Sequence, residues 1–152
     1  MINEENKNNG MPECIKGRYS LKATTINSLG LLAKYFNENE NGNDYQILLL
    51  TPYGFIKGDI ENIASHDNFI TKTDIPNKYD VDLSIVYQYR NDALKDAEKD
   101  KENINLIDNG AIINLKNVTV YKDNLKEPIL TTNQMIVFAD QIVSFSLCPR
   151  NL

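Results

Sequence analysis

Residues 111–121, AIINLKNVTVY, and residues 135–147, MIVFADQIVSFSL, decide the fold of this chain. Both stretches are rich in β-branched and aromatic residues, which favour β-strands. A polar turn region separates them, and Asp140-Gln141 interrupts the second stretch. The pattern therefore predicts three strands that belong to a small, strongly bent sheet.

The composition is that of an ordinary globular domain. The 152 residues are 41% hydrophobic and 24% charged, and a chain of this length favours one domain with one core. The formal net charge is −5, and most of this acidity lies between residues 65 and 110. A duplex-binding domain normally carries a basic face, so the charge disfavours broad nucleic-acid binding.

The N-terminal segment and the cysteines indicate the compartment. Residues 1–14 are rich in Asn, Glu and Lys, which predicts a disordered tail. The tail lacks the apolar centre of a signal peptide, and no apolar run approaches the roughly 20 residues of a membrane helix. We therefore expect a cytoplasmic protein that does not bind membranes, with Cys14 and Cys148 as free thiols.

The N-terminal half predicts one helix and a hairpin. Residues 20–37 place apolar side chains at helical spacing on one face. Residues 45–50 form a strand of buried character, and a Pro-Tyr-Gly turn leads into a second strand over residues 55–63. Gly58, in the middle of that strand, predicts a bulge or sharp bend.

Residues 65–110 form a predicted insertion between the second and third strands of the sheet. Residues 81–90 alternate between core-facing and outward positions, which is typical of a half-buried strand. Residues 91–101 predict a short polar helix. The fold class is therefore α+β and mainly β. We expect an N-terminal helix, then a small, strongly bent five-stranded antiparallel barrel with an inserted strand and helix.

Short motifs in these strands resemble those of the Sm and Sm-like (LSm) family. The residues that match the first motif of that family are Ile56, Gly58, Ile60 and Ile63, followed beyond the insertion by Leu115, Asn117 and Val118. The second motif is similar to residues 138–145, FADQIVSF. The resemblance implies a single Sm-like domain over residues 15–152, with an N-terminal helix and five bent strands.

The same resemblance indicates that the family's usual RNA site is altered. Members that bind uridine use an Arg-Gly pair, and Phe138-Ala139 stand at its position here. An aspartate of the first motif is replaced by Ala64. Asn117 and Asp140 are the remaining polar residues of that pocket, so RNA binding at the usual site is not expected.

The resemblance also implies assembly. Sm-like proteins form rings in which the fourth strand of one subunit pairs with the fifth strand of the next. The predicted interface residues are Met135, Ile136, Val137 and Phe138 of one strand and Ile142, Val143 and Phe145 of the other. An exposed apolar edge is a liability unless it is covered, so we expect a ring-shaped homo-oligomer. The alternative is a monomer in which the inserted strand, residues 81–89, covers the edge.

The sequence carries no catalytic or cofactor-binding motif. His66 is the only histidine, so a multi-histidine metal site is not expected. Asp80 and Asp82 share one face of a predicted strand without the spacing of a calcium-binding loop. We therefore predict a non-enzymatic scaffold or interaction module without metal or cofactor, whose insertion or helix contacts a partner.

Two other functions remain open. One is RNA binding at a relocated site, because bases stack on aromatic rings beside cationic side chains. The candidate residues for it are Lys16, Arg18, Lys22, Tyr87, Tyr89, Asn117 and Asp140. Alternating tyrosines are equally typical of a strand that packs against a helix. The other function is that of a small enzyme whose site is built from Asp and Tyr residues that the sequence does not identify.

Overall fold

The structure, a computed structural model, describes residues 11–39, 44–63, 69–100 and 104–151. Within these ranges the chain forms two α-helices, α1 (Leu21–Asn39) and α2 (Ile85–Asp100). The strands are β1 (Tyr45–Thr51), β2 (Gly54–Ile60), β3 (Ile70–Lys72), β4 (Tyr79–Val81), β5 (Ile112–Tyr121), β6 (Pro128–Phe138) and β7 (Ser144–Pro149). A short 3-10 helix at Glu13–Ile15 precedes α1, and a second one at Ala139–Gln141 joins β6 to β7.

Five strands form one antiparallel sheet in the order β6-β5-β2-β1-β7. Strands β3 and β4 form a separate two-stranded sheet. The predicted α+β class and the five-stranded antiparallel sheet are confirmed, and the helix predicted over residues 20–37 corresponds to α1. Among the described strands β6 does not pair with β7, so the sheet is not observed as a closed barrel.

The β1–β2 hairpin turns where the sequence predicts. Gly54 has a φ of 140°, and a Cβ there would collide with the carbonyl oxygen of Tyr121, so only glycine fits. The register between β2 and β5 shifts between Lys57 and Asp59. The bulge predicted at Gly58 is therefore confirmed, and such a bulge bends its strand.

The core lies between α1 and one face of the sheet. Ile26 of α1, Leu49 of β1 and Leu115 of β5 are fully buried and belong to one cluster. Gly30 allows close approach of the helix to β2, because a Cβ there would lie 2.9 Å from the Cβ of Ile60. Each large apolar side chain buried in this cluster stabilises the fold by about 1.5–3 kcal/mol.

The strand predicted for residues 81–90 is wrong, because most of this stretch belongs to α2. The side chain of Asp82 accepts a hydrogen bond from the backbone N–H of Ser84 at 2.9 Å, as polar residues do where helices begin. Tyr87 and Arg90 lie one helical turn apart, and the guanidinium carbon of Arg90 is 3.9 Å from the centre of the Tyr87 ring. This capping and stacking favour the helix over the strand that the alternation predicts.

The inserted segment contacts the rest of the domain at few points. Of the helix predicted over residues 91–101, the described residues 91–100 belong to α2, and α2 contains no buried residue. Near the N-terminus, the backbone N–H of Cys14 donates to Glu98 of α2 at 2.7 Å. Residues 1–10 of the predicted tail lie outside the described residues. No helix within the described ranges is both long and apolar enough to cross a membrane.

Candidate functional site

The two edge strands of the sheet, β6 and β7, are the strands that the resemblance implies for assembly. Among the described strands each is paired on one side only. The inserted strand that would cover an edge in the alternative prediction is not formed, because residues 85–89 are helical and β4 pairs with β3. Both edges therefore present unpaired backbone groups that another strand can bind.

The predicted interface residues divide into exposed and buried side chains. Phe138, Val143 and Phe145, which we call the edge patch, are 59%, 67% and 43% exposed. Val137 and Ile142 are buried and belong to the core. The half-buried members are Met135 and Ile136. Neighbouring side chains of a strand point to opposite faces, so a strand cannot present all its apolar residues to one partner.

Strand β6 is longer than the sequence predicts. It begins at Pro128, well before residue 135, and its first residues include Ile129 and Leu130, which are 63% and 48% exposed. Threonines follow these two residues and interrupt the apolar run, so the apolar pattern alone does not predict this part of the strand. Threonine is β-branched, however, and also favours strands. Two more apolar side chains therefore lie on this edge strand.

The short connection between β6 and β7 is fixed to the core. Ala139 and Ile142 are buried in the apolar cluster. The Nζ of Lys22 in α1 donates to the carbonyl oxygen of Ile142 at 3.1 Å, and Asp140 is exposed. Phe138 and Val143 flank this connection. Their backbone is consequently fixed in place, while their side chains are exposed to solvent.

A polar cluster, which we call the Arg150 clamp, holds the end of β7. The guanidinium of Arg150 donates to both carboxylate oxygens of Asp59, at 3.0 and 2.9 Å, and to Asp44 at 2.5 Å. Asn117 also donates to Asp59, at 2.8 Å. Burial acts to raise the pKa of Asp59, but the hydrogen bonds from Arg150 and Asn117 outweigh it, so the pKa is lowered. The hydrogen bonds to Asp59 and Asp44 raise the pKa of Arg150.

Asn117 has a structural role that the sequence does not indicate. It lies on β5 where the register with β2 shifts, and its φ of 51° falls in the left-handed region, which asparagine tolerates better than most residues. Its carbonyl oxygen accepts a hydrogen bond from Gln46 at 3.3 Å. This candidate RNA-binding residue is thus engaged within the Arg150 clamp.

A polar groove of about 380 Å³ lies between the β3–β4 hairpin and the β5–β6 pair. The lining residues are Thr71, Asp80, Val81, Asp82, Lys116, Asn117, Asn133 and Gln134. The side-chain amide of Gln134 donates to Asp82 and to Asn114, each at 2.9 Å. Lys116 forms an ion pair with Glu61 at 2.6 Å. The groove walls are therefore joined by an internal hydrogen-bond network.

The pKa shifts of Asp82 and Lys116 in the groove favour their charged forms. Burial acts to raise the pKa of Asp82, but hydrogen bonds from Gln134 and Ser84 lower it. The hydrogen bond to Glu61 raises the pKa of Lys116. In the described part of the chain, every buried side-chain nitrogen or oxygen has a hydrogen-bond partner, and no group of three His, Cys, Asp or Glu residues could hold a metal ion. Ala64 and His66 lie outside the described residues.

The candidate RNA-binding residues lie on several elements of the fold. Lys16 forms an ion pair with an acidic residue one helical turn before it, at 2.8 Å. Lys22 donates to the β6–β7 connection, whereas Tyr87 stacks on Arg90 of the inserted helix. Tyr89 is 60% exposed. Each of these contacts is made to a residue outside the candidate set.

Comparisons with protein-family models, with curated proteins and with solved structures found no match. No family is assigned on that basis. The function is therefore inferred from the edge strands, the Arg150 clamp and the groove themselves.

Proposed function

We propose that this protein is a non-enzymatic, Sm-like scaffold that assembles into a cyclic homo-oligomer through β6 of one copy and β7 of the next. One observation carries the proposal. Apart from the inserted hairpin, β6 and β7 are the fourth and fifth strands of the sheet, and they are its two edges. These are the strands that the Sm-like resemblance assigns to contacts between subunits.

The register of the sheet supports a barrel-like curvature. Read across the sheet, the paired residues are Ser144, Leu50, Phe55, Tyr121 and Pro128. Pro128 and Phe138 are at opposite ends of β6, about 33 Å apart along the strand. In a flat sheet Phe138 and Ser144 would therefore lie about 38 Å apart, since four strand spacings add about 19 Å sideways.

The connection from Phe138 to Ser144 is much shorter than that distance. Six residue steps span at most about 21 Å even when fully extended, and part of the connection is a 3-10 helix. The sheet must therefore curve strongly to bring the end of β6 near the start of β7. This curvature favours the barrel expected from the sequence.

The two edges suit head-to-tail assembly. Because β6 and β7 are different surfaces, contact between them is heterologous, and repeated contacts of this kind close into a ring when the rotation permits. Among the described strands β6 and β7 are each paired on one side only, so pairing between copies would satisfy backbone groups at both edges and cover the exposed side chains of the edge patch. The cytoplasmic location remains part of the proposal.

The two alternative functions have less support. RNA binding at the candidate residues would need their side chains to contact bases and phosphates, yet Lys22 contacts the β6–β7 connection and Tyr87 stacks on Arg90 of α2. Catalysis would require a group poised for proton transfer. In the groove, the pKa shifts of Asp82 and Lys116 instead stabilise their charged forms.

Sedimentation velocity across the micromolar range tests the proposal. The wild type is expected to sediment as one closed oligomer. Val143→Asp places a charge in the edge patch, where pairing would bury it without a partner, so this variant is expected to be monomeric. Leu31→Asp is the matched control, since Leu31 is also 67% exposed but lies on α1.

The control should retain the wild-type oligomer. A wild type that sediments as a monomer throughout the range would refute the assembly. An unchanged oligomer in Val143→Asp would contradict burial of the edge patch between copies. Circular dichroism of both variants would show whether the introduced charge disturbs the fold.

A further inference from the structure

One face of the β3–β4 hairpin is polar, and three of the four side chains on the other face are apolar. Residues directly opposite each other in a strand pair share a face, so Ile70 and Val81 lie together, as do Lys72 and Tyr79. Thr71 lies on the other face, which lines the polar groove. The opposite face carries Ile70, Tyr79 and Val81, which are 53%, 54% and 45% exposed, together with Lys72, and Val81 also borders the groove. We call the three apolar residues the hairpin patch.

The hairpin is poorly covered within a single copy. All six residues of β3 and β4 are exposed. An isolated two-stranded hairpin is at best marginally stable in water, and a further apolar surface normally supports it. One face borders the polar groove, whereas Ile70 and Tyr79 on the other face are more than half exposed.

The hairpin lies over the face of the β5–β6 pair, of which β6 is an edge strand of the sheet. Asn133 and Gln134 of β6 line the groove beneath it. The residues that directly follow β4 are bonded to the same strand, because Gln134 donates to Asp82 at 2.9 Å and accepts from the backbone N–H of Leu83 at 2.7 Å. A second copy that approaches the β6 edge would therefore arrive next to the hairpin.

The length of β7 gives an independent reason for a second contact. Its six residues offer a strip about 20 Å long and about 10 Å thick, or roughly 200 Å² per partner. Stable interfaces bury about 800 Å² per partner. Strand pairing alone would thus supply only a fraction of the required area, and adjacent apolar surface must contribute.

We infer that the hairpin patch is a second contact area for the neighbouring copy of this chain, continuous with the β6 edge. The inference rests on the proposed assembly and specifies a partner surface for it. The incoming copy brings the exposed Val143 and Phe145 to this edge, so apolar side chains meet apolar side chains. The inserted segment is then an assembly arm that strengthens contacts between subunits.

The double variant Ile70→Ser/Val81→Ser tests this inference. Its matched control is Ile107→Ser, which removes an equally apolar and fully exposed side chain from another loop of the insertion. Sedimentation equilibrium gives the dissociation constant of the assembly. Native mass spectrometry of mixed light and ¹⁵N-labelled protein gives the rate of subunit exchange, which remains measurable when the assembly is too tight for the first method.

The double variant should dissociate about tenfold or more readily and exchange subunits correspondingly faster, with an unchanged circular dichroism spectrum. The control should match the wild type. An oligomeric wild type whose association is unaffected by the double variant would overturn the inference and leave the edge pairing intact. A monomeric wild type would overturn both.

Discussion

The five-stranded sheet and the inserted segment differ in how they are held in place. The sheet places fully buried residues such as Ile47, Ile113 and Val118 in one apolar cluster. The insertion has exposed strands and a helix without buried residues, and polar contacts at Gln134 and Glu98 attach it. Stability therefore resides in the sheet, while the insertion provides surface that can serve a partner.

The largest expected effect is a loss of stability when the sheet core is truncated. Leu115→Ala removes a fully buried side chain and should lower the free energy of unfolding by about 3–4 kcal/mol. Val86→Ala on α2, where the side chain is 56% exposed, should change it by less than about 0.5 kcal/mol. Urea denaturation followed by circular dichroism measures both. Equal losses would remove the distinction between the two regions.

An intermediate effect is expected at the Arg150 clamp. Asp59→Asn keeps the shape of the side chain but removes its charge, and partial exposure limits the loss to about 1–2 kcal/mol at neutral pH. The folded-state pKa of Asp59 is lowered, so its contribution is present above the unfolded value of about 3.9 and is lost as the pH falls through the folded value.

The stability difference between wild type and Asp59→Asn should therefore shrink below about pH 4. Urea denaturation at a series of pH values measures this difference. Asp108→Asn, a loop substitution outside the clamp, serves as the control and should show no comparable pH dependence. A difference that persists unchanged into strong acid would show that the charge of Asp59 does not stabilise the sheet.

The smallest effect on global stability should come from Gln134, which connects the two regions. Gln134→Ala removes the hydrogen bonds that this side chain makes with Asn114 and with the backbone N–H of Leu83. The free energy of unfolding should fall by about 1 kcal/mol. Its main consequence should be local, with faster tryptic cleavage at Lys95 and Lys99 of α2. Gln88→Ala on the exposed side of α2 is the control. Unchanged cleavage would mean that Gln134 does not hold the insertion.

The sequence predicts the fold of the sheet better than that of the inserted segment. The long apolar runs of β5 and β6, the helix α1 and the bulge at Gly58 were predicted because burial imposes a regular pattern on local sequence. In the insertion that constraint is weak. The alternation of residues 81–90 predicted a strand, although the cap at Asp82 and the Tyr87–Arg90 contact favour a helix.

The candidate site was predictable only in part. The apolar runs predicted both strands and the Sm-like resemblance implied that they are edges, yet neither could show that Val137 and Ile142 are buried while Phe138 and Val143 are exposed. No sequence pattern predicted the Arg150 clamp, because Asp59 and Arg150 are 91 positions apart in the sequence. Contacts of this kind depend on tertiary register, which a single sequence does not display.

Crosslinking between copies is the most direct test of the edge-to-edge assembly. Two proteins are co-expressed in a Cys14→Ser background, one with Thr131→Cys on β6 and the other with Ser146→Cys on β7. Both positions are exposed, whereas Cys148 is 4% exposed and burial raises the pKa of its thiol, so it should not react. A short bis-maleimide should crosslink the mixture into dimers and leave each protein alone uncrosslinked. Crosslinks in Thr131→Cys alone, or none in the mixture, would contradict the pairing of β6 with β7.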